Sequence, residues 1–419
     1  MTAAQFTLLF ITALSLTTLA KLWLARRHLA HIAAHRGAVP EAFRERIALA
    51  DHQKAADYTS AKMRFAMLSA LFDAALLLAF TLSGGIQFLA SLCNARFDIP
   101  LVQGVATIAA VLLLSSLLEA PFNLYRVFVI EARFGFNKMT FALYLKDALK
   151  GLLLGAALGL PLLFGVLWLM ERMGAYWWLY VWLVWMAFNL LILFIYPAFI
   201  APLFNKFTPL EDEAMKARIE ALLAKCGFAA KGLFVMDGSK RSTHGNAYFT
   251  GFGKTRRIVF FDTLLERLSG SETEAVLAHE LGHFKRRHVL KRIVLTFAMS
   301  LGFLWLLGRL MQTEWFYRGL GVSTPSTAVA LLLFFMILPL FGFLLHPLMS
   351  AWSRRHEYEA DAYAAQQTDA ADLVSALVKL YQDNAATLTP DPLYSAFYDS
   401  HPPAALRIAH LQSLSVRTP

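Results

Sequence analysis

Cysteine is nearly absent from this chain. Cys93 and Cys226 are the only two in 419 residues, and no Cys-x-x-Cys occurs. A disulfide framework is therefore excluded. Charge is scarce as well: Asp, Glu, Lys and Arg make up 16% of the residues, against 58% hydrophobic. A soluble protein of this length does not normally carry so little charge. There is no internal repeat and no low-complexity segment. No basic residue precedes the first apolar run, which is longer than a signal core and is followed by Lys21, Arg26 and Arg27. The segment reads as an uncleaved anchor rather than a signal peptide.

What the chain has in quantity is long apolar runs. Seven are long enough to cross a bilayer as helices, which takes about 20 residues each. They lie near 6–25, 65–90, 102–124, 148–170, 177–199, 290–311 and 326–350. Trp177, Trp178, Tyr196, Trp315 and Tyr317 sit near span ends, as interfacial anchors do. The fold class is thus a mainly helical integral membrane protein whose lipid partner is the bilayer.

The net charge of +10 could suggest nucleic acid, but its distribution argues against that partner. Lys and Arg crowd the connections 26–64, 125–147 and 200–289 and the C-terminal tail. The opposite connections hold little beyond Arg96, Arg172 and Arg318. The positive-inside rule then puts the N-terminus outside and the C-terminus in the cytosol, which seven spans permit. The basic loop 26–64 reads as two helical pieces on the membrane face, with His28, His31, His35 and His52 solvated.

Four regions follow: 1–199 with spans one to five, the polar segment 200–289, 290–350 with spans six and seven, and the polar segment 351–419. Both polar segments fall on the cytosolic side and can build one domain. "LEDEAMKARIEALLAKCGF" reads as an amphipathic helix stopped by glycine. "KGLFVMDGSK" and "NAYFTGFGKTRRIVFFDTLL" read as short strands, so a small β-sheet is expected.

The stretch "AVLAHELGHFKRRH", 275–288, is the polar exception in this apolar chain. Ser271 and Glu274 form a Ser-x-x-Glu pattern that predicts a helix start. The helix should run through 275–288 into span six. His279 and His283, at i and i+4, then share one face and can reach one metal ion. Glu280 stands beside that ion without binding it, the place of a general base acting on water. Two histidines leave a catalytic zinc one protein ligand short.

Spans six and seven form a hairpin. His283 lies seven residues before Leu290, and Glu357 seven after Ser350. If both helices continue, each stands roughly 10 Å above the membrane edge. Glu357 is the expected third ligand. Asp361, one turn on, either orients a ligating histidine or pairs with an arginine such as Arg354 or Arg407, and carboxylates at metal sites often do both. His288, with Lys285, Arg286 and Arg287, reads as part of the cytosolic basic belt. His356 and Glu359 face elsewhere on their helix.

HELGH at 279–283 followed, two spans later, by EYEAD at 357–361 resembles the M48 metallopeptidases. "EARFGFNK" at 131–138, "APLFNKFTPL" at 201–210, "NAYFTGF" at 246–252, "RIVFFDTLLE" at 257–266 and "SHPPAALRIAHL" at 400–411 narrow the resemblance to the CAAX prenyl protease 1 group. The resemblance implies seven helices around an intramembrane chamber capped by a zinc domain. It implies cleavage near the C-terminus of isoprenylated CAAX proteins with release of a tripeptide. It assigns one zinc ion per chain to His279, His283 and Glu357, and the base to Glu280. It makes Asn246 and Ala247, with Tyr248 on the same segment, a substrate-binding edge strand. His401 and Arg407 become active-site partners of substrate and scaffold.

Physical reasoning gives these roles unequal support. An exposed strand edge can pair with an extended peptide, yet 246–250 alone reads equally as an interior strand. His401 could hold an oxyanion, or merely precede a proline-started helix. Two rivals share the motif. One is a quality-control protease for membrane proteins. The other is a non-catalytic zinc protein, with Asp73, Glu119 and Asn189 lining a transport path. The membrane is a bacterial inner membrane, which the Ala- and Leu-rich composition favours, or the endoplasmic reticulum.

Overall fold

A computed structural model describes residues 1–250 and 257–415. Among them, seven helical segments are long and apolar enough to cross a bilayer: Ala3–His35, Leu49–Phe80, Pro100–Glu131, Phe141–Arg172, Gly174–Phe204, His288–Leu310 and Thr327–Gln367. Each coincides with a span read from the sequence, but most overrun it. At 1.5 Å per residue, a helix of 33 residues is about 50 Å long, well beyond a hydrocarbon core of about 30 Å. The loop 26–64 is therefore not two pieces lying on the membrane. It is the projecting ends of spans one and two, joined through 36–48. Span two stops earlier than expected, at Phe80, and the chain reverses at Gly84, whose φ of 81° suits glycine.

The histidines of this loop divide. His28 and His52 are buried rather than solvated. His28 Nδ1 accepts the Asp391 N–H at 3.1 Å, and its ring stacks on Tyr394 at 4.1 Å. Arg27 donates to Asp391 at 3.0 Å. These contacts fasten the end of span one to the C-terminal segment. Some expected interfacial anchors also pack inward: Trp177 and Tyr317 are buried among neighbouring spans.

The polar segments build one apolar core. It takes Leu210, Ile219, Leu222, Ile258, Phe260, Ala278 and Leu281 from the first, and Tyr363, Leu373, Leu377, Ile408 and Leu411 from the second. Phe43 and Ile47, from the loop after span one, complete it. Among the described residues, four strands form a mixed sheet: β1 Phe207–Pro209, β2 Gly232–Met236, β3 Ala247–Thr250 and β4 Arg257–Phe261. Their order is β1-β2-β4-β3, with β2 and β4 parallel and the other pairs antiparallel. The β3 strand is therefore an edge and not an interior strand. Residues 251–256, which follow it in the sequence, lie outside the described residues.

Candidate metal centre and active site

The helix bearing HELGH runs Gly270–Lys285 and is capped two residues earlier than the sequence pattern suggested. Ser269 Oγ accepts the Glu272 N–H at 3.3 Å, and Glu272 Oε2 accepts the Ser269 N–H at 2.7 Å. Ser271 and Glu274 are engaged elsewhere, with Asp372 at 2.9 Å and Arg218 at 2.9 Å. Both partners are distant in sequence, which is why the local pattern pointed to the wrong cap. Ser375 and Lys379 each donate to Glu272 at 2.7 Å. Burial would raise this carboxyl, but the hydrogen bonds outweigh it and hold it below the ordinary range.

The helix also does not continue into span six. It ends at Lys285, Arg287 takes a left-handed φ of 57°, and a new helix starts at His288. The EYEAD helix, His346–Gln367, packs against the HELGH helix. A Cβ at Gly282 would stand 2.9 Å from Ala360 Cα. Glycine at that position lets the two helices approach closely enough to share a site.

His279, His283 and Glu357 each offer a ligand atom, and these atoms lie within 4.8 Å of one another. The two Nε2 atoms face each other at 3.2 Å. Glu357 Oε2 lies 3.4 Å from His279 Nε2, and Oε1 lies 3.3 Å from His283 Nε2. Glu357 Oε2 is buried without a hydrogen bond. Two imidazole nitrogens and a buried carboxylate converging on one point are a donor set for a cation, with space left for water. A metal ion fits these residues.

His279 Nδ1 donates to Asp361 Oδ1 at 2.8 Å. Asp361 is fully buried and also accepts two bonds from Arg407, at 2.9 Å from Nε and 2.5 Å from Nη2. It thus orients the His279 ring and pairs with an arginine, both at once. The arginine is Arg407. Arg354 instead donates to the carbonyls of Ser395, Ala396 and Asp399, holding the chain that leads to His401. Burial would lower the His279 imidazole, but its bonds to Asp361 and Glu357 outweigh that and raise it to about 9. The surroundings favour positive charge at this point, whether from a proton or from a metal.

A cavity of about 590 Å³ opens over the cluster. Glu280, His283, Glu357 and His401 line it beside Tyr248 and Phe249 of β3. Glu280 is half-buried there and makes no ion pair among the described residues. His401 Nε2 lies 3.5 Å from Glu357 Oε2 and its Nδ1 3.0 Å from Ser400 Oγ. Phe261 N–H donates to the Asn246 carbonyl at 2.9 Å. Antiparallel alternation then turns the backbone groups of Ala247 toward the open edge. There the Ala247 N–H is taken by Asn246 Oδ1 at 2.8 Å. All ten residues singled out in the sequence thus fall in or around one site. Asn189 of span five lines the same cavity, whereas Asp73 and Glu119 line a separate one of about 300 Å³ with Lys21.

His288, Glu359 and His356 were missed. His288 is not in a solvated basic belt: it is buried, with its Nδ1 3.0 Å from His283 Nδ1. Only the helix break at Arg287 brings it there, and no local pattern announced that break.

Comparison with known proteins agrees with this architecture. Residues 28–206 match the family described as CAAX prenyl protease N-terminal, five membrane helices, and residues 209–415 match peptidase family M48. A CAAX prenyl protease 1 homolog of Arabidopsis thaliana is 38% identical, with 76% of this chain and 75% of that protein aligned. The CAAX prenyl protease 1 of Saccharomyces cerevisiae is 37% identical, over 86% of each chain. The crystal structure of S. mikatae Ste24p superposes with a TM-score of 0.89 at 32% identity, covering 97% of this chain and 98% of that one. The chain belongs to peptidase family M48, within the CAAX prenyl protease 1 group, and is a multi-pass membrane metallopeptidase.

Proposed function

We propose that the protein is a zinc endopeptidase that cuts near the C-terminus of prenylated CAAX proteins. The observation that carries this reading is the convergence of His279, His283 and Glu357 in the wall of a cavity that also holds Glu280 and an edge strand. A zinc ion on these three side chains would supply Lewis acidity to water and to the scissile carbonyl. The Glu280 carboxylate takes the proton of the attacking water as the new C–O bond forms. It returns that proton to the amine as the C–N bond breaks. His401, in the wall of the same cavity, donates to the developing oxyanion. Arg407 and Asp361 hold the His279 ring in the tautomer a ligand needs.

The open edge of β3 suits an extended peptide, which would pair with the backbone of Ala247 and displace the Asn246 side chain from the Ala247 N–H. Tyr248 flanks the bound chain. Leu190 and Leu193 of span five and Ile293 and Phe297 of span six line the same cavity. Such a wall suits an apolar group carried by a peptide bound at the bilayer's edge. We set the site on the cytosolic face, where the Lys- and Arg-rich connections gather. The membrane is a bacterial inner membrane on composition, with the endoplasmic reticulum as the alternative.

The test is cleavage by purified protein of a farnesylated CAAX peptide beside its unprenylated twin. Strong preference for the farnesylated peptide is expected. Equal cleavage of both would replace this reading with that of a broad membrane protease.

A further inference from the structure

The two histidine ligands are supported differently. His279 donates directly to a carboxylate, Asp361, at 2.8 Å. His283 has no carboxylate on its Nδ1. It meets a second imidazole, His288, at 3.0 Å between the two Nδ1 atoms. His288 Nε2 in turn lies 3.0 Å from Glu359 Oε2. Arg355 holds Glu359 from the outer side at 3.2 Å.

Hydrogen-bond logic fixes the protons along this chain. A ligating Nε2 of His283 is unprotonated, so its proton sits on Nδ1 and is donated to His288 Nδ1. His288 must then accept on Nδ1 and carry its own proton on Nε2, where it donates to Glu359. The donors and acceptors are satisfied in one direction only. The His288 ring is itself immobilised: it stacks on His356 at 3.9 Å with the planes 9° apart, and Trp352 packs edge-on against His356 at 4.5 Å.

The backbone makes this possible. On an unbroken helix, a residue five positions on lies about 140° round the axis from His283. The left-handed residue Arg287, at φ 57°, interrupts the helix and swings His288 back under His283. A non-glycine residue there is an uncommon conformation, held by its surroundings.

We propose that His288 is a positioning residue: it fixes the tautomer and ring plane of His283 for the metal, and the break at Arg287 exists to deliver it. The proposal rests on reading His279, His283 and Glu357 as metal ligands.

The test is zinc affinity of the purified full-length protein by chelator competition, beside the unfolding temperature of the metal-stripped protein. His288→Phe keeps the stack on His356 but cannot accept from His283. It should weaken zinc binding about 10- to 100-fold with little change in the metal-free unfolding temperature. His288→Gln can accept from His283 and donate to Glu359, and should recover most of the affinity. Arg287→Gly, which suits the backbone angle, should stay near wild type, whereas Arg287→Val, strained at that angle, should weaken zinc binding as His288→Phe does and also lower the metal-free unfolding temperature. Wild-type affinity in His288→Phe would overturn the proposal and leave the ligand assignment standing. Equal losses in Phe and Gln, with a lowered metal-free unfolding temperature, would reduce His288 to packing and overturn it too. A wild-type protein that binds no zinc would overturn the ligand reading itself, and the role of His288 with it.

Discussion

The membrane ring and the metal-bearing domain are held together in opposite ways. Spans two, four and five bury only 6% of their most apolar windows against the rest of the protein. Residues such as Leu152 and Leu153 stand largely exposed. In the domain, Asp361 and Ala278 are fully buried, and Asp361, Arg407 and Glu272 are each partnered by charged or polar side chains, while Glu357 Oε2 is left facing His279 without a hydrogen bond. The outer faces of spans two, four and five suit lipid, so these three helices gain little from burying side chains there, whereas spans one and seven bury 28% and 44% of their most apolar windows. The domain instead takes charges out of water, so each needs a partner or a bound cation. Single changes should therefore matter far more around the site than on the spans.

The largest effect is expected at His279. On the proposed assignment, His279→Ala removes a metal ligand and the hydrogen-bond donor to Asp361 Oδ1, so metal content and peptide cleavage should both fall to background. Arg407→Ala comes next. It strips a buried carboxylate of its bidentate partner, which costs about 3–5 kcal/mol when one member of a buried pair is removed. A fall in unfolding temperature, in detergent and with metal present, reads this directly. Gly282→Ala places a Cβ 2.9 Å from Ala360 Cα and forces the two site helices apart. A cost of about 1–3 kcal/mol, with weakened metal binding, is expected from thermal unfolding and chelator competition.

Glu272 gives a pH signature. Its carboxyl is held below the ordinary range in the folded protein, so its contribution is present above the unfolded pKa of about 4.3 and is lost as pH falls through the folded value. Glu272→Gln should cost roughly 1.5–3 kcal/mol near pH 7, and the gap to wild type should close on acidification. A gap that stays constant with pH would contradict the assignment. Leu153→Ala, on the exposed face of span four, is expected to change stability by no more than about 0.5 kcal/mol. A cost as large as that of Gly282→Ala would break the comparison between ring and domain.

The parts of this molecule that were legible in the sequence are those set by local period or by topology. Seven apolar runs gave seven spans. The i, i+4 histidines fell on one face, and Glu357 comes to 3.3 Å from His283 although the helix expected to run unbroken from His283 into span six breaks at Arg287. What escaped depends on partners far away in the chain. Ser269 rather than Ser271 caps the HELGH helix because Asp372 and Arg218 occupy the side chains of Ser271 and Glu274. His28 is buried because Asp391 and Tyr394 come to it from the other end of the chain. His288 looked like one more basic residue beside "KRR", because nothing in that string marks Arg287 as the point where the helix breaks. Its role follows from three-dimensional neighbours alone.

The central claim is that Glu280 acts on water beside a metal held by His279, His283 and Glu357. The most direct measurement is zinc stoichiometry and farnesylated-peptide turnover in Glu280→Gln beside wild type. One zinc per chain in both proteins, with turnover lost only in the variant, is the predicted result. Zinc retained with wild-type turnover in Glu280→Gln would contradict it.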